Sequence, residues 1–142
     1  MKAASLLKGA GVLALLHGVL HTVGVFVPAA PGAQAAAVLA MKANQFGLNG
    51  MTRSYWDFFT GFGLFITVSF LVQAVVFWQL GAMAKTEARR TRPIVMAFFV
   101  GYVAYVVLAW RYFFVGPVVF EVVIALCLLG AWALAGRVEE TD

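Results

Sequence analysis

Four long apolar runs, separated by short segments rich in proline, glycine or charge, dominate the hydropathy pattern of this chain. Each run has the roughly 20 mostly apolar residues that a helix needs to cross a bilayer. The pattern therefore predicts an all-α fold, an integral membrane antiparallel four-helix bundle formed by a single domain over residues 1–142. The predicted spans cover residues 5–27, 55–81, 93–114 and 117–136.

The ends of these runs carry signals of helix boundaries. Pro28 stops the first run, and Pro93 suits the first turn of the third helix, where a missing N–H costs no hydrogen bond. A tight turn is predicted at Val115, Gly116 and Pro117. Because this link is so short, the last two helices are expected to be antiparallel neighbours.

The longest connection, residues 28–54, contains a weaker helical signal. Its part from Ala35 to Phe46 is rich in alanine and predicts a short helix that lies at the membrane interface. Gly47, Asn49 and Gly50 are expected to end that helix.

Composition supports the bilayer as the solvent. The chain is 63% hydrophobic and 11% charged, whereas soluble domains are about 45–50% apolar and about 25% charged. The net charge of +4 is explained by basic residues that flank the spans, so nucleic acid is not an expected partner. The single cysteine, Cys127, excludes a disulfide framework within the chain.

Basic residues near the span ends predict the orientation. They concentrate at the N-terminus, in the second connection and at the C-terminus, which makes both termini cytoplasmic and the location the inner (plasma) membrane. The residues on this side are Lys2, Lys8, Lys85, Arg89, Arg90, Arg92 and Arg137, against Lys42, Arg53 and Arg111 on the other. A cleaved signal peptide over the first run stays an alternative, because small residues follow it. Its length and its two histidines favour a retained span.

Ionisable residues inside the spans fall at one level. With antiparallel helices, both histidines lie in the outer half of the membrane, His21 about 9 Å below the outer end of its helix. The same level is predicted to hold one acid near the start of helix two, one base near the end of helix three and one acid in helix four. The five residues are His17, His21, Asp57, Arg111 and Glu121.

Small residues mark the faces on which membrane helices approach one another, and they predict that this set faces the bundle interior. The stripe on helix one is Ala10, Ala14, His17, His21 and Gly24. The stripe on helix two is Asp57, Thr60, Gly61 and Leu64. The stripe on helix three is Ala97, Gly101, Ala104, Leu108 and Arg111, and that on helix four is Glu121, Ala125, Leu128 and Trp132.

Each residue also has a structural alternative. Asp57 suits the positive end of a helix dipole, and Arg111 suits a snorkelling position at a helix end. The structural alternative for Glu121 is an ion pair with Arg111. The structural alternative for both histidines is a hydrogen bond to a backbone or hydroxyl group of another helix. Tyr55, Trp56, Trp110 and Tyr112 suit an interfacial aromatic belt. Ionisable groups within spans are costly and indicate function by default.

The chemistry of this set allows three functions. The first is binding of a small lipophilic molecule, with its conversion by acid–base catalysis. The catalytic candidates are His17, His21, Asp57 and Glu121. The ligand-binding candidates are Arg111, Trp56, Tyr55 and Tyr112. The sequence requires no cofactor for it, and the expected partners are the bilayer and this ligand. A helper or assembly subunit with structural polar groups is the second reading. Metal binding or proton-coupled transport is the third.

A metal site is weakly indicated by the two histidines. His17 and His21 are four residues apart and can ligate one ion from one helix face, with Asp57 and Glu121 to complete the set. Gly18, Val19 and Leu20 stand between them, so the chain lacks the general base of the H-E-x-x-H signature. No third histidine exists for a haem.

Four spans, the segment His17-Gly18-Val19-Leu20-His21 and the segment from Ser54 to Gly63 give the chain a family resemblance. It resembles small bacterial four-helix inner-membrane proteins. In architecture it is similar to DoxX-like proteins and to the emopamil-binding sterol isomerase group, whose cavities also hold ionisable residues within helices. The resemblance implies a polar cavity in a helical bundle, and it carries over no site residue.

Overall fold

The computed structural model describes residues 2–136. Within this range the chain forms five helices and one two-stranded hairpin. Four of the helices are long and make up most of the fold, and the fifth is short. In chain order these are α1 (Lys2–Phe26), α2 (Ala33–Ala43), β1 (Gln45–Leu48), β2 (Met51–Ser54), α3 (Tyr55–Met83), α4 (Ala88–Tyr112) and α5 (Val115–Gly136).

The described chain divides into two compact units. The first, called the four-helix unit, comprises residues 2–17 and 70–136. The second, called the hairpin unit, comprises residues 18–69. Both α1 and α3 contribute to each unit.

The core of the four-helix unit combines small and large side chains. Leu7, Phe77, Ile124 and Leu128 are almost fully buried, and alanines fill the narrow places between helices. α1 and α3 approach closely at Gly11, where an added Cβ would lie 3.0 Å from the carbonyl oxygen of Ala74. Small residues at such contacts let helix backbones approach.

The helices α4 and α5 run in opposite directions along each other. The guanidinium of Arg92, near the start of α4, lies 4.5 Å from the centroid of the Trp132 ring, near the end of α5. The same guanidinium lies beside Gly136. At the other end only Phe113 and Phe114 join the two helices, which confirms the expected antiparallel pair.

Two helix starts differ from the sequence prediction. The helix predicted to begin at Pro93 begins at Ala88, so the proline lies beyond the first turn and supplies no backbone N–H to the helix. The predicted turn at Val115 to Pro117 is instead the first turn of α5. Pro117 is tolerated there because N–H groups in the first turn have no acceptor within the helix.

The first long connection contains a hairpin that the sequence prediction missed. The predicted helix over residues 35–46 is present as α2, but it ends at Ala43, and β1 and β2 follow it as an antiparallel pair. Asn49 and Gly50 connect the strands with φ values of 48° and 80°. An Asn-Gly pair with both φ angles positive makes the tight turn that suits a hairpin. The fold is therefore helical with one short hairpin.

Outward-facing side chains on the long helices are mostly apolar. Phe65, Val100 and Leu126, for example, are all more than half exposed. The four long helices, α1, α3, α4 and α5, are each long and apolar enough to cross a membrane. Arg137, which entered the orientation argument, lies outside the described residues.

Candidate functional site

A buried histidine–glutamate contact lies in the four-helix unit. The Nδ1 atom of His17 on α1 lies 3.5 Å from Oε1 of Glu121 on α5. Only 6% of His17 and 4% of Glu121 is exposed. Sequence analysis named both residues as site candidates, and the structure brings these two together.

Two phenylalanine rings enclose the imidazole. The Phe70 ring, from α3, is tilted against His17 with 4.3 Å between ring centroids. The Phe120 ring, from α5, is stacked on it at 4.7 Å. The rings hold the imidazole plane and keep its surroundings apolar, so the histidine has little freedom to turn away from Glu121.

Tyr102 adds a third polar group. It lies on α4, is 1% exposed, and belongs to the same buried core as Ile124 and Ala125, which follow Glu121 on α5. We call His17, Tyr102 and Glu121 the polar cluster. Its members come from α1, α4 and α5, so it joins three of the four long helices.

The polar cluster has unused hydrogen-bonding capacity. Among the described residues, neither Oε2 of Glu121 nor the hydroxyl of Tyr102 has a hydrogen-bond partner, and both atoms are buried. Gln73, one turn after Phe70 on α3, is also buried with an unpartnered Oε1 within the described chain. Leaving such a buried group unsatisfied costs about 1–3 kcal/mol. The cluster can therefore accept hydrogen bonds at Glu121 and donate one from Tyr102.

His21 lies in the hairpin unit and contacts α3. Its Nε2 atom is 3.0 Å from the carbonyl oxygen of Gly63. One residue further, the hydroxyls of Thr22 and Thr67 are 3.0 Å apart. A hydrogen bond between His21 and a backbone group of another helix agrees with the structural alternative for this histidine.

Asp57 caps the start of α3. Its Oδ2 atom accepts hydrogen bonds from the backbone N–H of Ser54 at 2.7 Å and from the Ser54 hydroxyl at 2.9 Å. The backbone N–H of Asp57 donates in return to Ser54 Oγ at 3.2 Å. This reciprocal pattern is a capping box, and it gives Asp57 a structural role at the helix start.

The predicted ligand-binding residues lie toward the helix ends. Arg111 is exposed, with its guanidinium 6.0 Å from the centroid of the Tyr112 ring, and Tyr112 is itself exposed. In the hairpin unit, Lys42 Nζ lies 5.0 Å over the ring of Trp56, and Tyr55 packs against Phe46. In the described chain the Glu121 carboxyl group lies close to the His17 imidazole, whereas the sequence-based structural alternative pairs it with Arg111.

The predicted small-residue stripes meet with different outcomes. On α1, Ala10, Ala14 and His17 are buried, as predicted, whereas His21 is half-buried and Gly24, the last residue of the predicted stripe, is exposed. On α3, Gly63 rather than Gly61 meets α1, because a Cβ on Gly63 would lie 2.8 Å from Val25.

On α4 the predicted stripe is wrong. Leu108 is half exposed, and the buried residues follow another face. Large side chains, above all Tyr102, fill the space on that face, and a search for small residues does not find them. The buried residues of α4 are Thr91, Val95, Tyr102 and Ala109.

Sequence reasoning missed three residues at the site. Phe70 and Phe120 gave no signal because phenylalanine is common throughout the spans. Tyr102 lies in the middle of a span, and this depth could have distinguished it from the interfacial tyrosines. Within residues 2–136, no three His, Cys, Asp or Glu side chains are grouped so that they could hold a metal ion.

Comparison with known proteins gives no family by which to identify the chain. No family model, no curated protein and no solved structure matches it. The resemblance to small four-helix membrane proteins stays a prediction.

Proposed function

We propose that this chain is a multi-pass protein of the inner membrane that binds a small lipophilic molecule at the polar cluster. Both termini are cytoplasmic in this proposal, and the four long helices form an antiparallel bundle across the bilayer. The observation that carries the proposal is the buried Oε2 atom of Glu121, which has no hydrogen-bond partner among the described residues.

The unsatisfied atoms define what the ligand must offer. A hydrogen-bond donor on the ligand would pair with Glu121 Oε2, and an acceptor would pair with the Tyr102 hydroxyl. Pairing these atoms would remove the cost of burying them without partners. The ligand therefore carries a small polar group that both donates and accepts hydrogen bonds.

The rest of the ligand is apolar. The rings of Phe70 and Phe120 pack against His17, and Tyr102 belongs to a buried apolar core that also contains Ile124 and Leu128. Binding sites for small molecules combine such apolar walls with a few placed polar groups. A molecule that reaches the site from the bilayer already has this character.

Acid–base conversion of the bound molecule is the catalytic extension of this proposal. His17 and Glu121 can each hold or release a proton, and their side chains are close enough to share one between Nδ1 and Oε1 with small movements. In that reaction one of the two would accept a proton from the ligand and the other would return it.

The second candidate function is that of an assembly subunit with structural polar groups. It is favoured by the same contact, because His17 and Glu121 join α1 and α5. In that case the pair stabilises the fold, and neither Glu121 Oε2 nor the Tyr102 hydroxyl binds a ligand.

The variant Glu121→Gln separates these functions. It keeps the size of the side chain but replaces the carboxyl group with a neutral amide, which cannot ionise and has only one acceptor oxygen. We expect wild-type protein purified in mild detergent to retain a lipophilic molecule, seen by mass spectrometry of the organic extract, and Glu121→Gln to lose about 90% of it.

The control is Glu87→Gln, since Glu87 is exposed and bonded to Arg90. It should retain the molecule at the wild-type level. Equal retention by wild type and Glu121→Gln would overturn ligand binding at this site. Lower thermal stability in Glu121→Gln with nothing bound to the wild type would support the structural function instead.

A further inference from the structure

An open groove of about 240 Å³ lies in the hairpin unit, along one face of α3. Its lining residues all belong to the hairpin unit, whereas the residues of the polar cluster all belong to the four-helix unit. Charged side chains line one end of the groove and aromatic side chains line the remainder. The lining residues are Arg53, Asp57, Phe58, Gly61, Phe62 and Phe65.

The charged end of the groove presents both signs. Arg53 uses Nη1 for the carbonyl oxygen of Thr52 and Nη2 for the sulfur of Met51, which leaves further N–H donors of its five available. Asp57 receives both Ser54 hydrogen bonds on Oδ2. Within the described chain, both hydrogen bonds that the Asp57 carboxylate accepts use Oδ2, so Oδ1 can accept one from a donor outside the protein.

The aromatic part of the groove is held in place by the hairpin. The ring of Phe58 stacks on Phe46 of β1 at 5.7 Å and packs against Phe62 at 6.1 Å. Phe65 is 71% exposed and lies about two turns, or ~12 Å, beyond Asp57 along α3. The groove thus changes from charged to apolar in the direction that leads from the helix end into the candidate span.

We propose that this groove binds one phospholipid with a zwitterionic, primary-ammonium headgroup. The lipid phosphate pairs with the Arg53 guanidinium, and the ammonium group donates to Asp57 Oδ1. The start of one acyl chain lies along Phe62 and Phe65. The polar headgroup thus lies at the charged end of the groove, and the acyl chain lies along its apolar part.

Two observations, the volume of the groove and the charges at its end, favour a lipid over a free small molecule as the ligand. The volume of about 240 Å³ is below the roughly 300–1,000 Å³ of ordinary small-molecule pockets, so it holds a headgroup and the first carbons of a chain while the remainder stays in the bilayer. Arg53 and Asp57 together match a headgroup that has one charge of each sign. The inference shares with the proposed function only the membrane insertion of α3.

Gly61 allows the groove to be closed without damage to the fold. A Cβ placed on Gly61 has no atom within 4 Å, so a larger side chain would project into the groove rather than into the protein. Gly101 on α4 offers the matched control, because a Cβ there also meets nothing within 4 Å and lies outside the groove.

The test is a titration of full-length protein in detergent with dioleoyl phosphatidylethanolamine, followed by native mass spectrometry. We expect one bound lipid, with affinity about tenfold weaker in Gly61→Leu and in Arg53→Gln. Gly101→Leu and Arg90→Gln should bind as the wild type does. Unchanged affinity in Arg53→Gln, which alters an exposed side chain, would overturn the proposal even if Gly61→Leu failed to fold.

The headgroup is tested with two further lipids of the same chains. Phosphatidylcholine has no N–H to donate to Asp57, and phosphatidylglycerol has no cation, so both should bind more weakly than phosphatidylethanolamine. Equal binding of all three would overturn the assigned headgroup. Glu121→Gln should not change this titration, which distinguishes failure of the groove from failure of the polar cluster.

Discussion

His17 and Glu121 face each other across α1 and α5, with Nδ1 and Oε1 3.5 Å apart and both residues buried. Breaking one member of a buried pair leaves the other without its partner, which is more damaging than loss of an exposed contact. The pair therefore links the stability of the four-helix unit to the groups that we propose bind the ligand.

A double-mutant cycle measures this link. For His17→Gln, Glu121→Gln and the double variant, we expect a coupling of about 0.5–3 kcal/mol in the free energy of unfolding in detergent. The exposed pair of Glu87 and Arg90, at 2.7 Å, is the control and should give a smaller coupling of about 0.3–0.5 kcal/mol. A coupling at His17 and Glu121 no larger than that of the control would contradict the contact.

The capping box at the start of α3 predicts a stability effect in the hairpin unit. Ser54→Ala removes the hydroxyl that both donates to Asp57 Oδ2 and accepts from the Asp57 N–H. We expect a loss of about 1 kcal/mol in unfolding free energy, measured by chemical denaturation in detergent. Thr52→Ala, an exposed change on the same strand, should alter it by less than half of that amount.

The turn between the hairpin strands predicts a difference between two glycines. Gly50 has a φ of 80°, which a residue with a side chain rarely adopts, so Gly50→Ala should destabilise the hairpin by about 1 kcal/mol. Gly47 pairs with Thr52 within the ladder and has open space around it. Amide exchange of the hairpin should therefore accelerate in Gly50→Ala and change little in Gly47→Ala.

The contact between α1 and α3 predicts a strong effect of volume at Gly11. Gly11→Val would force atoms toward the Ala74 carbonyl oxygen and Phe77, with an expected cost of about 1–3 kcal/mol. Gly9 is the matched control, because a Cβ there meets no atom within 4 Å. Equal thermal midpoints for Gly11→Val and Gly9→Val would show that the two helices do not approach as described.

The proposed orientation predicts which connections face the outside. With Cys127 replaced by alanine, Thr52→Cys should react with a membrane-impermeant maleimide added to intact spheroplasts. Thr86→Cys, in the connection between α3 and α4, should react only after the membrane is opened. The reverse pattern would place both termini on the outer side.

Particular residues show why the sequence predicts some contacts and misses others. The sequence predicts the burial of Ala10, Ala14 and His17 correctly because small residues mark a close helix contact, whereas Gly24, in the same predicted stripe, is exposed. The stripe on α4 was missed because a large residue, Tyr102, fills that interface. The hairpin turn is present in the sequence as Asn49-Gly50, but the same pair also suits the end of a helix, which is the prediction that the structure corrects.

The sequence alone determined the four long helices, because hydropathy and helix-breaking residues act locally and depend on the solvent rather than on partners. It also determined how far along its helix each histidine and acid lies. Only the tertiary structure decided that Glu121 meets His17 between two phenylalanine rings. Helices α1 and α3 are apolar on nearly every side, so no periodicity indicates their rotation, and the packing of side chains from distant parts of the chain determines it.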